Sequence, residues 1–295
     1  MLRRIRYFFE MIRFSHTIFA LPFALMSALL AWQSERRFQW IDLVGIIVCM
    51  VFARSAAMAF NRFVDRRIDA LNPRTSKRHL PSGKLSTFAV WSFTFIASLG
   101  FIAATALFLL ANPPNPWPII LALPVLVFIC AYSLAKKFTA LAHVWLGVSL
   151  MMAPIAAWIA IRGLNDLKIP LVLAVAVLFW VTGFDILYAC QDYNFDREQR
   201  LHSIPARFGI RRALRIALAC HILMLIDLLI LWYTCPQLGN LFLCGVVAIA
   251  CLLGYEHSLV HPNDLARVNQ AFFHVNGVIS LGLLGVTVAQ LLIHW

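Results

Sequence analysis

Residues 41–69 read IDLVGIIVCMVFARSAAMAFNRFVDRRID. The first part, 41–60, holds only two charged residues, Asp42 and Arg54. As a helix, a stretch of about 20 residues crosses about 30 Å, the thickness of a bilayer's hydrocarbon core. Charge then arrives abruptly, with Arg62, Asp65, Arg66, Arg67 and Asp69 within nine positions. A soluble amphipathic helix would spread its polar residues along one face over its whole length. Here they gather at one end, so the segment reads as a transmembrane helix emerging into water.

Outward from this stretch the same pattern repeats. Apolar runs of spanning length fall at 15–33, 41–60, 86–111, 117–134, 140–161, 169–190, 212–234, 238–256 and 270–293. The breaks between them carry turn residues, as in Asn112-Pro113-Pro114-Asn115-Pro116 and Gly163-Leu164-Asn165-Asp166. The chain is 62% hydrophobic and 13% charged, against about 45–50% and about 25% in soluble domains. That balance excludes an ordinary soluble enzyme, a disordered chain and a disulfide scaffold. The expectation is an all-α membrane protein of nine transmembrane helices, one polytopic domain over 1–295, since no linker is long enough to divide it.

The net charge is +12. The basic residues interrupt apolar spans rather than form a soluble basic face, so the partners expected are the lipid bilayer and an anionic substrate, and no nucleic acid. With the N-terminus placed in the cytoplasm, nine spans put 20 of the 25 Lys and Arg on the cytoplasmic side and four on the other, with Arg54 inside a span. Such a bias is the positive-inside rule. The basic, aromatic N-terminal arm is expected to lie on the anionic leaflet. The run after it, with no small-residue cleavage site, reads as a retained helix. The seven cysteines form no CxxC pair and read as small buried hydrophobes.

Two cytoplasmic loops, about 61–86 and 185–211, are more than connectors. In the first, Asn61, Asp65 and Asp69 are spaced i, i+4, i+8 and line one stripe of a helix. In the second, Asp192 and Asp196 repeat the spacing, with Tyr188 and Asp185 on the same stripe one and two turns earlier. Two acidic pairs facing each other repel unless a cation lies between them. Mg2+ prefers oxygen ligands and takes one or two carboxylates together with substrate phosphate oxygens. Arg and Lys around them would hold the remaining phosphate charge. The pattern therefore asks for a metal-bridged anionic phosphate, the plainer alternative being a solvated network of these Asp with Arg62, Arg66, Arg67, Arg197 and Arg200. Arg54, two and three turns before Asn61 and Asp65, lies on the same face but deeper. A buried Arg needs a fixed anion: an intramembrane acid such as Asp185 or Asp227, or a substrate carboxylate or diphosphate.

These residues resemble the UbiA superfamily of intramembrane aromatic prenyltransferases. NRFVDRRID is similar to that family's first NxxxDxxxD motif, and DYNFD, extended through Asp185 and Tyr188, to the second. NPRT and LPSGKLS, YSLAKKFT (132–139), the opening RFSHTIFALPFAL and the closing NQAFFHVNGVIS also resemble the family, so the likeness covers nearly the whole chain. The resemblance implies a bundle around a central cavity open to lipid. It implies that Asn61, Asp65, Asp69, Asp192 and Asp196 hold Mg2+ and the diphosphate of a polyprenyl donor, the four aspartates of the two motifs being the metal ligands. Lys136 and Arg74 would contact the diphosphate, Asp185 and Tyr188 would line the cavity near the reacting carbon, and Arg54 would bind the carboxylate of an aromatic acid.

The implied enzyme is a Mg2+-dependent aromatic polyprenyltransferase of the bacterial inner membrane, its site facing the cytoplasm. The implied acceptor is 4-hydroxybenzoate, or 1,4-dihydroxy-6-naphthoate, because FDILYACQDYNFDREQRLHSIPARFG is similar to a subgroup linked to menaquinone made through futalosine. A transporter of an anionic or lipid-phosphate solute would use a similar cluster, but more often near the bilayer midplane on broken helices. His16, His143, His221 and His274 read as core or cavity residues rather than haem ligands. Asn269 and Asn276 read as helix–helix hydrogen-bonding amides, and residues 202–209, HSIPARFG, as a cap over the site.

Overall fold

The computed structural model describes residues 7, 8, 10–12 and 19–293. Most of the N-terminal arm, His16, and the terminal His294-Trp295 lie outside the described residues. The long elements are α1 (Leu21–Glu35), α2 (Trp40–Leu71), α3 (Thr87–Thr105), α4 (Trp117–Ala135), α5 (Ala142–Arg162) and α6 (Lys168–Ala189). After a 3-10 turn at Cys190–Asp192 come α7 (Tyr193–Glu198), α8 (Ile204–Phe208), α9 (Ile210–Thr234) and α10 (Asn240–Ser258). A π-helical segment, Ala271–Val275, leads into α11 (Asn276–Ile293). Among the described residues there is no strand, only an isolated bridge between His261 and Asp264.

Eight of these helical stretches are long and apolar enough to cross a membrane, which makes the chain an integral membrane protein. The expected nine spans are thus met by eight. The remaining run yields α1, of 15 residues, and part of that run, 15–18, lies outside the described residues.

Local chemistry accounts for where the helices stop. α2 runs for 32 residues because its apolar span continues unbroken into the polar motif. It ends at Asn72, which is extended (φ −83°, ψ 120°), as a residue before proline tends to be. Ser86 caps α3 by accepting the Ala89 N–H at 3.1 Å. Gly163 and Gly209, at φ 63° and 80°, take the left-handed backbone that ends α5 and α8.

The helices form two compact units. The first contains the described arm residues and α2, α3 and α4. There α2 packs on α3 at a close approach: a Cβ on Gly100 would lie 2.6 Å from the Phe52 ring. Met11, Ile12, Ala59, Leu85 and Val90 make a small core beside the motif end of α2. The second unit contains α1 and α5–α11. Its most buried element is α6, flanked by α5 and α9. Trp158, Trp180, Phe23, Leu173, Met224 and Leu228 fill its core with no exposed surface. Trp180 donates to Asn276 Oδ1 at 2.6 Å, and Asn276 donates to Glu256 Oε1 at 2.6 Å, so the amide of Asn276 joins three helices as expected. All seven cysteines are unpaired, but Cys244 and Cys251 are exposed rather than buried. They share the exposed face of α10 with Val247 and Tyr255.

Candidate active site

In the first unit the motif residues sit on the last three turns of α2. Asn61 Nδ2 donates to Asp65 Oδ2 at 2.9 Å, so two of the predicted ligands are tied to each other along the stripe. Asp69, one turn on, is buried and lies between two guanidinium groups. Arg78 contacts its carboxylate at 2.7 Å, and Arg62 lies at 3.9 Å. The Thr75 hydroxyl donates to the Asp69 carbonyl at 2.9 Å, which folds the segment after α2 back onto the motif. Arg74 is exposed on that segment, and its backbone N–H donates to Asn72 Oδ1 at 2.9 Å. Deeper on α2, Arg54 has a buried Nε with no hydrogen-bond partner, and its electrostatic neighbour is Tyr132 of α4.

In the second unit the helix carrying Asp185 and Tyr188 tightens into the 3-10 turn that holds Asp192, then resumes as α7 with Asp196. Asp192 and Asp196 are both buried and close enough for their charges to interact. Lys136, just beyond α4, is the cation acting most strongly on Asp196, and the Ser203 hydroxyl bonds to the same carboxylate. Even so, Asp196 Oδ2 is buried with no hydrogen-bond partner. A cleft of about 540 Å³ opens beside it, lined by Phe138, Thr139, Arg197, Arg200, His202 and Arg207 among others. Asp185 Oδ2 lies 2.6 Å from His143 Nδ1. The Tyr188 ring packs on Phe272 at 4.3 Å, and Phe272 in turn meets Phe184 edge-on. The π-helical turn that presents Phe272 follows a pattern common at functional sites.

The predicted residues therefore fall into local sets: Asn61 with Asp65, Asp69 with Arg78, Asp192 and Lys136 with Asp196, and Tyr188 with an aromatic wall. Sequence reasoning missed Arg78 and Ser203 as partners of the motif aspartates and set His143 aside as a core or cavity residue. A polar residue near the start of an apolar span was the one signal for His143. Nothing periodic links Arg78 to Asp69.

The donors suit magnesium. They are carboxylate and amide oxygens with no thiolate or imidazole among them, and one buried carboxylate oxygen lacks a partner. Among the described residues no three His, Cys, Asp or Glu converge as a ready-made ligand set. That suits an ion which takes one or two carboxylates and completes its shell with substrate oxygens and water.

Comparison with known proteins gives the same direction. The UbiA prenyltransferase family profile matches residues 20–278. The chain is 31% identical over 252 residues to the 4-hydroxybenzoate octaprenyltransferase of Vibrio vulnificus, covering 85% of each chain. It is similar to the apo structure of a UbiA homologue from Aeropyrum pernix K1, with a TM-score of 0.81, 30% identity, and coverage of 95% of this chain and 98% of that one. A UbiA homologue from Archaeoglobus fulgidus, solved with DMAPP and Mg2+ bound, shares the fold at a TM-score of 0.75 and 17% identity, covering 97% of this chain and 99% of its own.

Proposed function

This chain belongs to the UbiA prenyltransferase family, and we propose that it transfers a polyprenyl group from polyprenyl diphosphate to the ring of a hydroxylated aromatic acid in quinone biosynthesis. The observation that carries the proposal is the pair of aspartate motifs, each at the end of a long apolar helix, with Arg62 and Arg78 at Asp69 and Lys136 near Asp196. The names of relatives such as the Vibrio vulnificus octaprenyltransferase support the donor and the reaction class. The proposal treats 1–295 as one catalytic domain, with α1 and the residues before it as a ninth span. Its N-terminus and its active site face the cytoplasm of a bacterial inner membrane, a reading supported by the Lys and Arg bias.

Asn61, Asp65, Asp69, Asp192 and Asp196 are assigned to the metal-bound diphosphate, the aspartates as ligands. Bound Mg2+ would neutralise the leaving diphosphate and so ease ionisation of the allylic C–O bond. Lys136 and Arg74 add positive charge to the same leaving group. Phe184, Tyr188 and Phe272 form an aromatic wall beside Asp185 that keeps water from an allylic cation. A ring carbon of the acceptor, made electron-rich by its hydroxyl, attacks that cation to form the C–C bond. The ring proton then leaves to a diphosphate oxygen or an aspartate.

Arg54 fits the acceptor's carboxylate. Its buried Nε without a partner is a donor waiting for an acceptor group, and a guanidinium pairs well with a carboxylate. The tail lies along apolar helices, where each buried CH2 contributes about 0.8 kcal/mol. Such a surface accepts long tails and discriminates weakly by length.

The test is a competition. Membranes carrying the protein are given a polyprenyl diphosphate and equal amounts of 4-hydroxybenzoate and 1,4-dihydroxy-6-naphthoate, and products are read by mass spectrometry. A prenylated ring from one acid identifies the acceptor. No prenylated product from either, with uptake of the diphosphate into vesicles, overturns the proposal in favour of transport.

A further inference from the structure

His143 lies in the first turn of α5 with no exposed surface. Both of its ring nitrogens are engaged, and by different elements. Nδ1 is 2.6 Å from Asp185 Oδ2 on α6, and Nε2 accepts the Ile204 N–H at 3.3 Å at the start of α8. A backbone N–H can only donate, so Nε2 must be the acceptor nitrogen. The ring proton is therefore on Nδ1 and is donated to Asp185. One tautomer satisfies both contacts, and it makes the ring a bridge between a carboxylate and a backbone amide.

The segment on the other side of that bridge is held at three successive residues. The His202 N–H donates to the Lys136 carbonyl at 2.8 Å. Ser203 caps α8 by accepting the Ala206 N–H at 3.2 Å and also bonds to Asp196. The Ile204 N–H, one of the first-turn donors that a helix leaves unsatisfied, is met by His143. On either side, Arg200 and Gly209 take left-handed backbone at φ 54° and 80°. Residues 201–208 thus form a short segment between two sharp backbone turns, latched by Lys136, Asp196 and, through His143, Asp185.

We propose that His143 is a positioning residue that couples the seating of the 201–208 segment to the orientation of Asp185. When the segment is seated, Ile204 fixes the tautomer and the ring aims its proton at Asp185 Oδ2, which sets the direction of the other carboxylate oxygen. When the segment lifts, the ring loses the contact that fixes its tautomer, and Asp185 is no longer held. The inference rests on the proposed prenyl transfer only in giving Asp185 a place beside the substrate.

Two variants separate hydrogen bonding from packing. Gln in His143→Gln carries a carbonyl to accept from Ile204 and an amide to donate to Asp185, whereas His143→Leu fills similar space with neither. In the full-length protein in detergent, His143→Leu should lower kcat by at least about tenfold, the scale seen when a hydrogen-bonded orienting partner is lost. His143→Gln should stay within a few-fold of wild type, about 1 kcal/mol or less by the tenfold-per-1.36 kcal/mol relation. Without substrate, amide exchange at 203–208 should quicken in the Leu variant and stay near wild type in the Gln variant. Wild-type kcat and exchange in the Leu variant, or equal impairment of the two variants, overturns the coupling. An inactive wild type would overturn the prenyl-transfer reading instead, and the exchange comparison would still decide whether His143 holds the segment.

Discussion

A single guanidinium nitrogen of Arg78 reaches both carboxylate oxygens of Asp69, at 2.7 and 2.9 Å, across nine positions of chain. The aspartate side chain is 8% exposed and the arginine 22%. The last aspartate of the first motif is thus also the anchor for the segment that follows α2. Removing one partner of a buried pair leaves an uncompensated charge, at a cost of about 3–5 kcal/mol. Partial exposure of Arg78, and Arg62 remaining 3.9 Å from the same carboxylate, place this pair at or below the lower end. Arg78→Gln should therefore lower the melting temperature in detergent, and adding Asp69→Asn should recover much of the loss. A double-mutant cycle read by thermal unfolding checks this. Purely additive losses would mean that the pair contributes no coupling.

The proposed function assigns Asp65 and Asp192 to the metal-bound diphosphate. Asp65→Ala and Asp192→Ala should each cut turnover by about a hundredfold or more, the scale of losing one preorganised electrostatic contact. Chelation should stop the wild-type reaction and added Mg2+ should restore it. The measurement is product formation against Mg2+ concentration. Full activity in both variants would falsify the ligand assignment.

Much of the architecture was legible because a bilayer imposes a length. Runs of about 20 apolar residues can only be helices there, and the motif spacing of four could be read onto one helix face. The first run was not resolved by that rule, since its helix is described only from Leu21 to Glu35. The latches were not legible for a different reason. Arg78 with Asp69 and His143 with Ile204 depend on how chain segments fold back at 72–85 and 199–203, where no period operates. The π-helical turn at Ala271–Val275 is equally hidden, because its register shift leaves the apolar pattern of 270–293 unchanged. Sequence could thus put the aspartates on their helix faces and Arg62 beside them, but not Arg78 or Ser203, which the folded-back segments bring in.

Arg54 offers a test that separates the two substrates. Its partnerless Nε predicts that Arg54→Leu weakens binding of the aromatic acid while leaving the prenyl donor nearly untouched. A hydrogen bond to a charged group is worth about 1.5–3 kcal/mol, so kcat/KM for the acid should fall by roughly 10- to 150-fold. The methyl ester of the same acid lacks the charge and should lose little further in the variant. Steady-state kinetics with acid and ester decide the matter. A rise confined to the KM of the prenyl diphosphate would assign Arg54 to the headgroup instead.

Gly147, one turn beyond His143, sets how closely α5 approaches α6. A Cβ there would stand 2.6 Å from Thr182 Oγ1 and 2.7 Å from the Leu178 carbonyl. The second of these is backbone and cannot rotate away, so an added methyl must push the helices apart. Close helix contact through small residues is a principal source of packing in membranes, where no hydrophobic driving force acts between helices. Gly147→Ala should destabilise by about 1–3 kcal/mol, as overpacking does. Because His143 and Asp185 sit on the two helices being separated, the variant should also lengthen their 2.6 Å contact and lower kcat. Gly254→Ala is the control, since nothing lies within 4 Å of its Cβ position. An alanine in that helix should be neutral or stabilise slightly. Melting curves of the two variants side by side, with kcat measured on the same preparations, check the argument. Equal behaviour of the two would show that α5 can yield at Gly147, and that the spacing of these helices does not fix the His143 contact.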